Sequence, residues 1–549
     1  MKHLLYIATI LIVLTLSSCF KGESVDIIIH NARVHTLTEL EEVMDAIALR
    51  DGKIIEVGPE RQILNKYSAK EYIDAGLKDI YPGFTDAHAH LMSYARLKLS
   101  VDLVGCKSYE EMINRIKDYQ KGHDHDFIIG RGWDQSIWAE GEMPSNDLLN
   151  EIFPDLPVCL FRIDGHALLA NDLLIDSSQV YSKFVETDNL STGGYFIKDK
   201  NGANTGVFVD NAMNPILEIL PDFPKKDIQK SLLEIQDELV AMGVTGIHEA
   251  GLTNFEVELL EELIDSNKFH LNVYGMLLPS FENYAFAKEK GHYRNKNLYI
   301  RSFKVYGDGA LGSRGAFLKA PYHDLDDHHG YLVTNQDSMV QISEFCKEVG
   351  YQMNTHAIGD SANRVVLDIY KETFLENPDH RWRIEHAQVV DPKDMQFFAL
   401  NGVFPSVQPT HATSDMRWAE DRVGEARMEG AYAYKTLLET FGMIALGTDF
   451  PVENTDPYGT IFSAVVRKNS SNQPEKGFRI EEAIGFKECL KGMTIWAAIA
   501  SFQERELGTL EKGKDATLFI VEKPYNLKSF QKNFSYITFI KGKKVYSLE

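Results

Sequence analysis

The sequence predicts an α/β fold: a (β/α)8 TIM barrel with a large insertion after its first strand and a small β-sandwich domain formed by both termini. Three observations predict it. Eight short apolar segments in the middle of the chain alternate with amphipathic helical patterns. The interval between the first two of these segments is much longer than the others. Short β-patterned segments occur at both ends of the chain, so one small domain can be built from the two termini.

The bulk composition is that of a globular protein. The chain has 549 residues, of which 44% are hydrophobic and 25% are charged, and its formal net charge is −23. This length suits several domains, or one large barrel with attachments. The negative charge disfavours a nucleic-acid partner and repels anionic lipid headgroups. We therefore expect no nucleic-acid binding, while a homodimer is left open.

The N-terminus predicts export. "MKHLLYIATILIVLTLSSC" has an early lysine, an apolar stretch and then small residues, which is the pattern of a signal peptide. Its ending resembles the bacterial lipobox, so we predict a lipoprotein signal peptide over residues 1–18 and lipid attachment at Cys19. The alternative is an ordinary secretory signal with an incidental cysteine. The mature chain would contact the membrane only through its lipid anchor, in the bacterial cell envelope and either periplasmic or surface-exposed.

The two ends of the chain predict one composite domain. "VDIIIHNARVHTL" and "AIALRDGKIIEVG" have strand patterns, with Asp-Gly marking a hairpin turn in the second. The C-terminal "GTLEKGKDATLFIVEK" and "YITFIKGKKVYSL" have a similar pattern. We predict a β-sandwich domain from residues 24–80 and 505–549, which leaves residues 81–504 for the barrel.

The barrel strands can be placed in order. They are "GFTDAHAH", "VTGIHEAG", "FHLNVYGM", "SFKVYGDG", "YQMNTHAIG", "RWRIEHAQ", "GVFPSVQP" and "MIALGTDFP". Helical patterns such as "FEVELLEELID" and "SANRVVLDIYKETF" lie between several of them. Residues from about 95 to 235 separate the first strand from the second, which is too long for an ordinary connection and predicts an inserted subdomain or lid.

The first strand carries a candidate metal-binding pair. In "YPGFTDAHAH", His88 and His90 are two positions apart, so in a strand their side chains lie on the same face. Neutral imidazole is the commonest metal ligand among side chains. The alternative is a pair of solvent-facing histidines at a polar strand edge. The pair alone therefore does not decide between a metal site and a polar edge.

The fourth strand places a lysine in the barrel. In "SFKVYGDG", Phe303 and Val305 share one face and would pack under the helices, so Lys304 and Asp308 point toward the barrel axis. A buried lysine is costly unless it is paired, modified or neutral. The alternative is the opposite register, with a solvated lysine. The inward register would place Lys304 among the histidines.

Three further candidate ligands end later strands. His356 lies in "NTHAIGD", His386 in "RIEHAQ" and Asp449 in "ALGTDFPV". Each has an ordinary alternative: a buried hydrogen-bonded histidine, a partner for Glu385 or Asp391, and a helix cap. Because catalytic groups of a barrel gather where its strands end, the joint placement favours one shared site.

At this point the chain resembles the amidohydrolase superfamily of metal-dependent hydrolases. It is most similar to amidohydrolase family 3, the branch that includes N-substituted formamide deformylases. The likeness runs from about residue 24 to the C-terminus and includes the insertion. It rests on "PGFTDAHAH", "KVYGDGALGSRGA", "NTHAIGD", "RIEHAQ", "ALGTDFPV", "GTLEKGKDATLFIV", "GRGWDQSIW", "RIDGHALLAN" and "TGVFVDNAMN".

The resemblance implies two divalent metal ions, with Zn²⁺ the best match to the ligands and Mn²⁺ or Fe²⁺ as alternatives. His88 and His90 would bind one ion, and His356 and His386 the other. Lys304, carboxylated by carbon dioxide, would bridge both ions as a carbamate. This agrees with the physics of the site, because carboxylation replaces a buried cation with an anion that offers two oxygens.

The resemblance also implies the reaction. The protein would hydrolyse a non-peptide, amide-like C–N bond of a small molecule by attack of a metal-bound hydroxide. Asp449 would bind the first metal, act as general base toward the water and then pass the proton to the leaving nitrogen. Two alternatives stay open. One is a mononuclear deaminase of the same superfamily, against which Lys304 argues, and the other is a non-catalytic surface binding protein on the same scaffold.

Substrate contacts are predicted first in the insertion. Trp133, Asp134, Asp164 and His166 lie there. We expect Trp133 to form pocket wall or lid packing. His166 would act as a further ligand or an oxyanion donor, with a structural hydrogen bond as the alternative.

The loop after the Lys304 strand supplies the other candidates. Arg314 would clamp a substrate carboxylate, or else bridge loop carbonyls. Asp308 would position the leaving amine, or else anchor the glycine-rich loop, and Ser313 lies beside them. Glu249 ends the second strand and would face the metal site or its rim.

Overall fold

The computed structural model describes residues 22–40, 42–121, 126–139, 141–185, 193–374 and 379–548. The predicted signal peptide and Cys19 lie outside these residues. Within the described ranges, no helix combines the length and the apolar character that crossing a membrane requires.

The N-terminal segment forms strands that precede the barrel. Asp51 and Gly52 at the predicted hairpin turn both have positive φ, 51° and 74°, as a two-residue turn requires. The elements are β1 (Glu23–His30), β2 (Arg33–His35), β3 (Val43–Met44), β4 (Ala46–Arg50), β5 (Lys53–Gly58), α1 (Glu60–Lys66), β6 (Tyr67–Asp74) and β7 (Asp79–Pro82). The turn joins β4 to β5, which pair in antiparallel orientation.

The first barrel strand is β8 (Phe84–Ala89), and helix α2 (Leu91–Leu97) follows it. The chain then forms a separate mixed sheet before it returns to the barrel. The strands of this sheet are β9 (Val101–Asp102), β10 (Ile128–Trp133), β11 (Val158–Arg162), β12 (Ala167–Ala170), β13 (Gly194–Lys198) and β14 (Asn204–Asp210), and they lie in the order β13-β14-β12-β11-β10-β9. The helices around it are α3 (Tyr109–Gln120), α4 (Asp147–Ile152), α5 (Asp172–Ser178), α6 (Val180–Lys183) and α7 (Asn214–Leu217).

The inserted sheet has its own hydrophobic core on each face. On β11, Val158 and Leu160 belong to one buried cluster, whereas Cys159 between them belongs to another. Alternate strand residues point to opposite faces, so the two clusters lie on the two sides of the sheet. The insertion therefore packs as an α/β unit of its own beside the barrel.

The remaining barrel elements alternate strand and helix. They are α8 (Lys225–Val240), β15 (Val244–Leu252), α9 (Asn254–Asp265), β16 (Asn272–Leu277), α10 (Phe281–Lys290), β17 (Tyr293–Asn295), β18 (Leu298–Tyr306), α11 (Gln336–Val349), β19 (Gln352–Ala357), α12 (Asp360–Thr373), β20 (Arg383–His386), α13 (Gln396–Asn401), β21 (Phe404–Val407), α14 (Pro409–Asp415), α15 (Ala419–Val423), α16 (Tyr434–Phe441), β22 (Ala445–Leu446), α17 (Pro457–Val465), α18 (Phe486–Gly492) and α19 (Ile495–Ala500). The predicted α/β fold is confirmed.

Eight parallel strands form a nearly closed barrel in the order β22-β21-β20-β19-β18-β16-β15-β8, and β17 pairs with β18 outside this path. The loop after β22 bonds back to the end of β8. The backbone N–H of Asp449 donates to the carbonyl of His88 at 2.8 Å, and the N–H of His90 donates to the carbonyl of Phe450 at 2.8 Å. These bonds bring the first and last strands together where the candidate ligands lie.

The C-terminal strands join the N-terminal ones. They are β23 (Leu518–Val521), β24 (Ser535–Ile540) and β25 (Lys543–Ser547), and they continue a six-stranded sheet in the order β25-β24-β23-β7-β2-β3. A second sheet has the order β5-β4-β1-β6. Ile29 and Leu49 of the second sheet share one buried cluster with Ile80, Leu518 and Phe539 of the first. Both termini therefore contribute to the same core.

Candidate metal centre

His88 is held in one orientation by a buried carboxylate. Its Nδ1 donates to Oε2 of Glu385 at 2.6 Å, and Arg383 pairs with the same carboxylate at 2.7 Å. Burial alone would raise the pKa of Glu385, but Arg383 and His88 keep this pKa well below its usual range. The glutamate is therefore an ionised acceptor, which leaves the Nε2 lone pair of His88 free to face the barrel mouth. A carboxylate behind the ring is the usual support of a metal-binding histidine.

Lys304 points into the barrel, with no exposed surface. Its Nζ lies 3.0 Å from Nε2 of His88, and among the described residues no carboxylate lies within 4.0 Å of it. Burial lowers the pKa of Lys304 to about 8. A sizeable fraction of this amine is therefore neutral near physiological pH. Neutral amine is the form that can react with carbon dioxide.

Asp449 approaches the histidines of the first strand from the loop after β22. Its Oδ1 lies 3.2 Å from Nε2 of His90 and 3.5 Å from Nε2 of His88. His88, His386 and Asp449 offer ligand atoms that all lie within 4.8 Å of one another. His386 and Asp449 have positive φ, 74° and 63°. Backbone strain of this kind is typical of functional sites, because the surrounding structure has to maintain it.

His356 completes the group on the neighbouring strand. Its ring centroid lies 4.4 Å from that of His386 and 5.1 Å from that of His166. Its Nε2 lies 3.5 Å from Oδ1 of Asp308. The structure thus brings all six predicted ligands to one end of the barrel: His88, His90, Lys304, His356, His386 and Asp449.

The electrostatics suit a bound cation. Burial lowers the pKa of His88 to about 4, lowers that of His90, and lowers those of His356 and His386 well below their usual value. All four imidazoles are therefore neutral at physiological pH, as metal ligation requires. The Nδ1 atom of His386 is buried without a hydrogen-bond partner in the described part of the chain. Since buried polar atoms are normally bonded, this orphaned nitrogen fits a metal ligand.

His166 reaches the same site from the insertion. Its Nδ1 lies 2.5 Å from Oδ1 of Asp210, and the hydroxyl of Tyr331 donates to Oδ2 of Asp210 at 2.6 Å. Burial lowers the pKa of His166, but Asp210 outweighs this and raises it above the usual value. His166 is therefore a proton-bearing group that faces the cavity beside His356, and its bond to Asp210 also matches the structural alternative.

His411 is a site residue that the sequence did not indicate. Its Nε2 lies 3.3 Å from Oδ2 of Asp449, and its Nδ1 lies 3.1 Å from Oε1 of Glu453. Burial alone would lower the pKa of His411, but the bonds to the two carboxylates raise this pKa to about 10. It is therefore cationic and keeps Asp449 ionised. No strand pattern pointed to it, because it lies within α14, one turn after β21.

A cavity of about 320 Å³ opens over these groups. The barrel contributes His90, Lys304, Tyr306, His356, His386, His411 and Asp449 to its lining. The insertion contributes Arg131, Asp164, Gly165, His166, Asp210, Asn211, Met213, Asn214 and Leu217. A small-molecule ligand would thus meet barrel residues on one side and insertion residues on the other.

Neither Trp133 nor Arg314 lines the cavity, and of the two expectations for Trp133 the structure fits packing within the insertion and not a pocket wall. Trp133 is fully buried in the core of the inserted sheet, where its Nε1 donates to the carbonyl of Leu160 at 2.7 Å. It packs inward because it is the largest apolar group on β10, and it does not line the cavity. Arg314 does not offer its guanidinium to the site, because its Nε and Nη2 bind Asp324 at 3.1 and 2.9 Å.

Two other predicted residues, Asp308 and Glu249, have structural partners. Asp308 accepts backbone N–H groups of Phe317, Ile358 and Gly359 at 2.8 to 2.9 Å, which favours the loop-anchor alternative over a contact with the leaving amine. Burial raises the pKa of Asp308 to about 7. Glu249 accepts the N–H of Leu91 at 2.5 Å and so caps α2.

The polar residues of the insertion and of the following loop are also engaged. Asp134 and Asp164 both pair with Arg162. Ser313 is buried, with its hydroxyl 3.4 Å from the carbonyl of Ala310. Of these, only Asp164 lines the cavity.

A nearly closed parallel barrel with imidazoles, a lysine and an aspartate at its strand ends defines the class of a metal-dependent hydrolase. The sequence-family model described as "Amidohydrolase family" matches residues 71–544. The chain belongs to this family, and the resemblance to amidohydrolase family 3 is confirmed. It is a metal-dependent hydrolase that acts on carbon–nitrogen bonds.

Several proteins resemble this chain along most of its length. The putative amidohydrolase YtcJ of Bacillus subtilis (strain 168) is 29% identical over 532 residues, which is 94% of this chain and 98% of that protein. The N-substituted formamide deformylase of Arthrobacter pascens is 23% identical over 521 residues, 91% of this chain and 93% of that protein. A crystal structure of an uncharacterized metal-dependent hydrolase from Pyrococcus horikoshii OT3 superimposes with a TM-score of 0.73 at 27% identity, covering 91% of this chain and 97% of that one.

Proposed function

We propose that this protein hydrolyses a non-peptide, amide-like C–N bond of a small molecule at a two-metal site. The observation that carries the proposal is the meeting of His88, His386 and Asp449, whose ligand atoms lie within 4.8 Å of one another. These residues come from the first strand, the sixth strand and the loop after the eighth. Their meeting beside a buried lysine is what a metal-dependent amidohydrolase needs. We also propose that the protein belongs to the branch of the family that resembles N-substituted formamide deformylases.

The chain's own residues would hold the metals as follows. Following the resemblance, we assign His88 and His90 to one ion and His356 and His386 to the other. The four neutral imidazoles form one continuous group, in which the ring centroid of His88 lies 5.4 Å from that of His90 and 4.9 Å from that of His386. Lys304 lies next to His88, and its carbamate would offer one oxygen to each ion. The carbamate forms when the neutral amine of Lys304 attacks carbon dioxide and loses one proton. Nitrogen ligands with two anionic oxygen groups match Zn²⁺, with Mn²⁺ or Fe²⁺ as alternatives.

When bound, divalent metals polarise a carbonyl and make a water acidic enough to attack near neutral pH. Asp449 is placed to transfer the proton of the attacking water. Burial alone would raise the pKa of Asp449, but hydrogen bonds from His411 and His90 hold this pKa well below its usual range. The carboxylate is therefore ionised and can accept a proton. Asp449 takes the proton from the attacking water and passes it to the leaving nitrogen. His411, bonded to Oδ2, keeps the carboxylate oriented.

The remaining proposals concern the surroundings of this site. The insertion supplies the substrate-facing wall, with His166 as a hydrogen-bond donor toward the substrate carbonyl. We also propose that residues 1–18 are a lipoprotein signal peptide and that a lipid on Cys19 anchors the protein in the cell envelope. The described body is proposed to meet only the small-molecule substrate, with no nucleic acid.

A substrate screen tests the proposed function. The full mature chain, loaded with zinc in bicarbonate buffer, is incubated with N-formyl, N-acyl and cyclic amides, and release of the amine is measured. We expect metal-dependent hydrolysis of one group of these amides, and Asp449→Asn should abolish it. Metal-dependent deamination of a heterocyclic amine, without amide hydrolysis, would contradict the proposal and favour the mononuclear deaminase.

A further inference from the structure

Arg131 is half-buried at the cavity and differs from the fully buried arginines near the site. Arg162 pairs with Asp134 at 2.7 Å, and Arg383 pairs with Glu385 at 2.7 Å. Arg131 has no carboxylate within 4.0 Å in the part of the chain that the structure describes. Its hydrogen bond is a long one, 3.4 Å from Nη2 to the carbonyl of Ile163, and its Nε is buried without a partner. A guanidinium held in a protein without an anion is costly.

The local structure keeps this guanidinium at the cavity wall. Arg131 lies on β10 and lines the cavity together with His90, His166 and Asp449. Gly165 lies against it: a Cβ at that position would be 2.9 Å from Nη2 of Arg131, and Gly165 has φ of +75°. Any side chain at 165 would push the guanidinium away. The turn of the insertion is therefore shaped around an arginine that faces the reaction site.

The nearest acid cannot serve as its partner. Asp164 lines the same cavity, but its carboxylate pairs with Arg162 and accepts the N–H of His166 at 3.0 Å. The donors of Arg131 consequently remain available to a ligand. A guanidinium presents parallel N–H groups that match the two oxygens of a carboxylate. The cavity of about 320 Å³ limits the ligand to a small molecule.

We propose that Arg131 binds a carboxylate of the substrate, so that the substrate class is small amides that carry a carboxylate group. This rests on the proposed function, because it names the substrate of the same site. Arg131 takes the place that Arg314 was expected to fill. The ion pair would fix the amide carbonyl above the barrel end of the cavity, with Arg131 on the insertion side and Asp449 on the barrel side.

The test compares matched substrates. The zinc-loaded full chain is assayed with N-formyl and N-acetyl amino acids and with the corresponding amino alcohols, in which the carboxylate is replaced by hydroxymethyl. The variants are Arg131→Gln and Arg131→Lys, with Arg294→Gln as the control, because Arg294 pairs with Glu506 on the surface. We expect the wild type and R294Q to prefer the carboxylates. R131Q should lower kcat/KM for the carboxylates by about 10- to 100-fold, mainly through KM, and leave the alcohols unchanged.

A binding measurement separates this inference from the proposed function. Calorimetry with succinate and with 1,4-butanediol needs no turnover. We expect succinate to bind the wild type and R294Q more tightly than R131Q, with R131K between them and equal metal content in all four proteins. Loss of succinate binding in R131Q without amide hydrolysis by any variant would support the inference and overturn the proposed function. Amide hydrolysis with equal preference for carboxylates and alcohols in the wild type and R131Q would overturn the inference alone.

Discussion

The Nζ of Lys304 lies 3.0 Å from Nε2 of His88, although the two residues are 216 positions apart in the chain. The contact joins the fourth strand of the barrel to the first, across the barrel mouth. His88 presents this nitrogen because Glu385 holds the other one. The amine of Lys304 is buried, has no carboxylate partner in the described chain and points at the lone pair of His88. This arrangement is expected of a lysine that becomes carboxylated or binds a metal.

Replacing this lysine should disable the site. For Lys304→Ala, we expect the loss of at least one metal ion per chain, because alanine offers no bridging ligand. The value of kcat/KM should fall by about a thousandfold or more, since a metal contributes several kcal/mol and each tenfold corresponds to about 1.4 kcal/mol. Elemental analysis and steady-state kinetics measure both effects.

The matched control is Lys230→Ala, since Lys230 is a mostly exposed lysine whose Nζ lies 3.6 Å from Glu234 on the same helix. It should retain metal and activity. Short-chain acids should partly restore K304A by supplying the missing carboxylate. Full metal occupancy with normal turnover in K304A would show that the lysine has no part in the centre.

Glu385 should control metal affinity without binding the metal. Glu385→Gln removes the charge that holds the Nδ1–H of His88, and we expect metal affinity to fall by about 10- to 100-fold, as for other residues behind a ligand. Metal titration monitored with a chromophoric chelator measures the affinity. Circular dichroism should first establish that the variant is folded, because the change also leaves Arg383 with a weaker partner. An unchanged metal affinity in folded E385Q would contradict this role.

The fold and most ligand candidates could be predicted because they follow from periodicity. Alternation in "SFKVYGDG" placed Phe303 and Val305 outward and Lys304 inward, and in the structure both apolar residues belong to the main core. His88, His356 and His386 end strands, and parallel strands of a barrel end at one face. Local pattern and topology therefore suffice to gather these side chains.

The substrate side could not be predicted because it depends on pairing between distant loops. In the sequence, Arg314 and Arg131 look equally available to bind a substrate. The fold shows that Arg314 pairs with Asp324, whereas no carboxylate of the described chain pairs with Arg131. Trp133 ends a strand whose apolar face is covered by the insertion's own helices, which the sequence does not show. His411 was missed because its two carboxylate partners lie 38 and 42 positions further along the chain.

Trp133 should matter for stability and not for substrate choice. Trp133→Ala leaves a cavity in the inserted sheet, and we expect a loss of about 3–5 kcal/mol in the free energy of unfolding. The KM of the folded fraction should not change. Asn214→Ala is the matched comparison, because Asn214 lines the reaction cavity and should change KM with little effect on thermal stability. A changed substrate preference in folded W133A at an unchanged melting temperature would contradict this assignment.

The lipid anchor is a separate prediction. Cys19→Ser should abolish lipid attachment, because the acyl chains are attached to the cysteine that follows the cleaved signal peptide. Growth of a bacterial host with labelled fatty acid, followed by membrane fractionation, measures it. The soluble variant should retain amide hydrolysis in the extract. Equal labelling of C19S and the wild type would mean that the N-terminus is processed in another way.

The metal content of the purified mature chain tests the central claim most directly. The protein is treated with a chelator, incubated with zinc and bicarbonate, passed over a desalting column and analysed for metal per chain and for amide hydrolysis. We predict about two divalent ions per chain, with activity lost on chelation and restored in proportion to the metal bound. Failure to retain a stoichiometric amount of any divalent metal, in a protein that is folded and has all six ligand residues, would contradict the account.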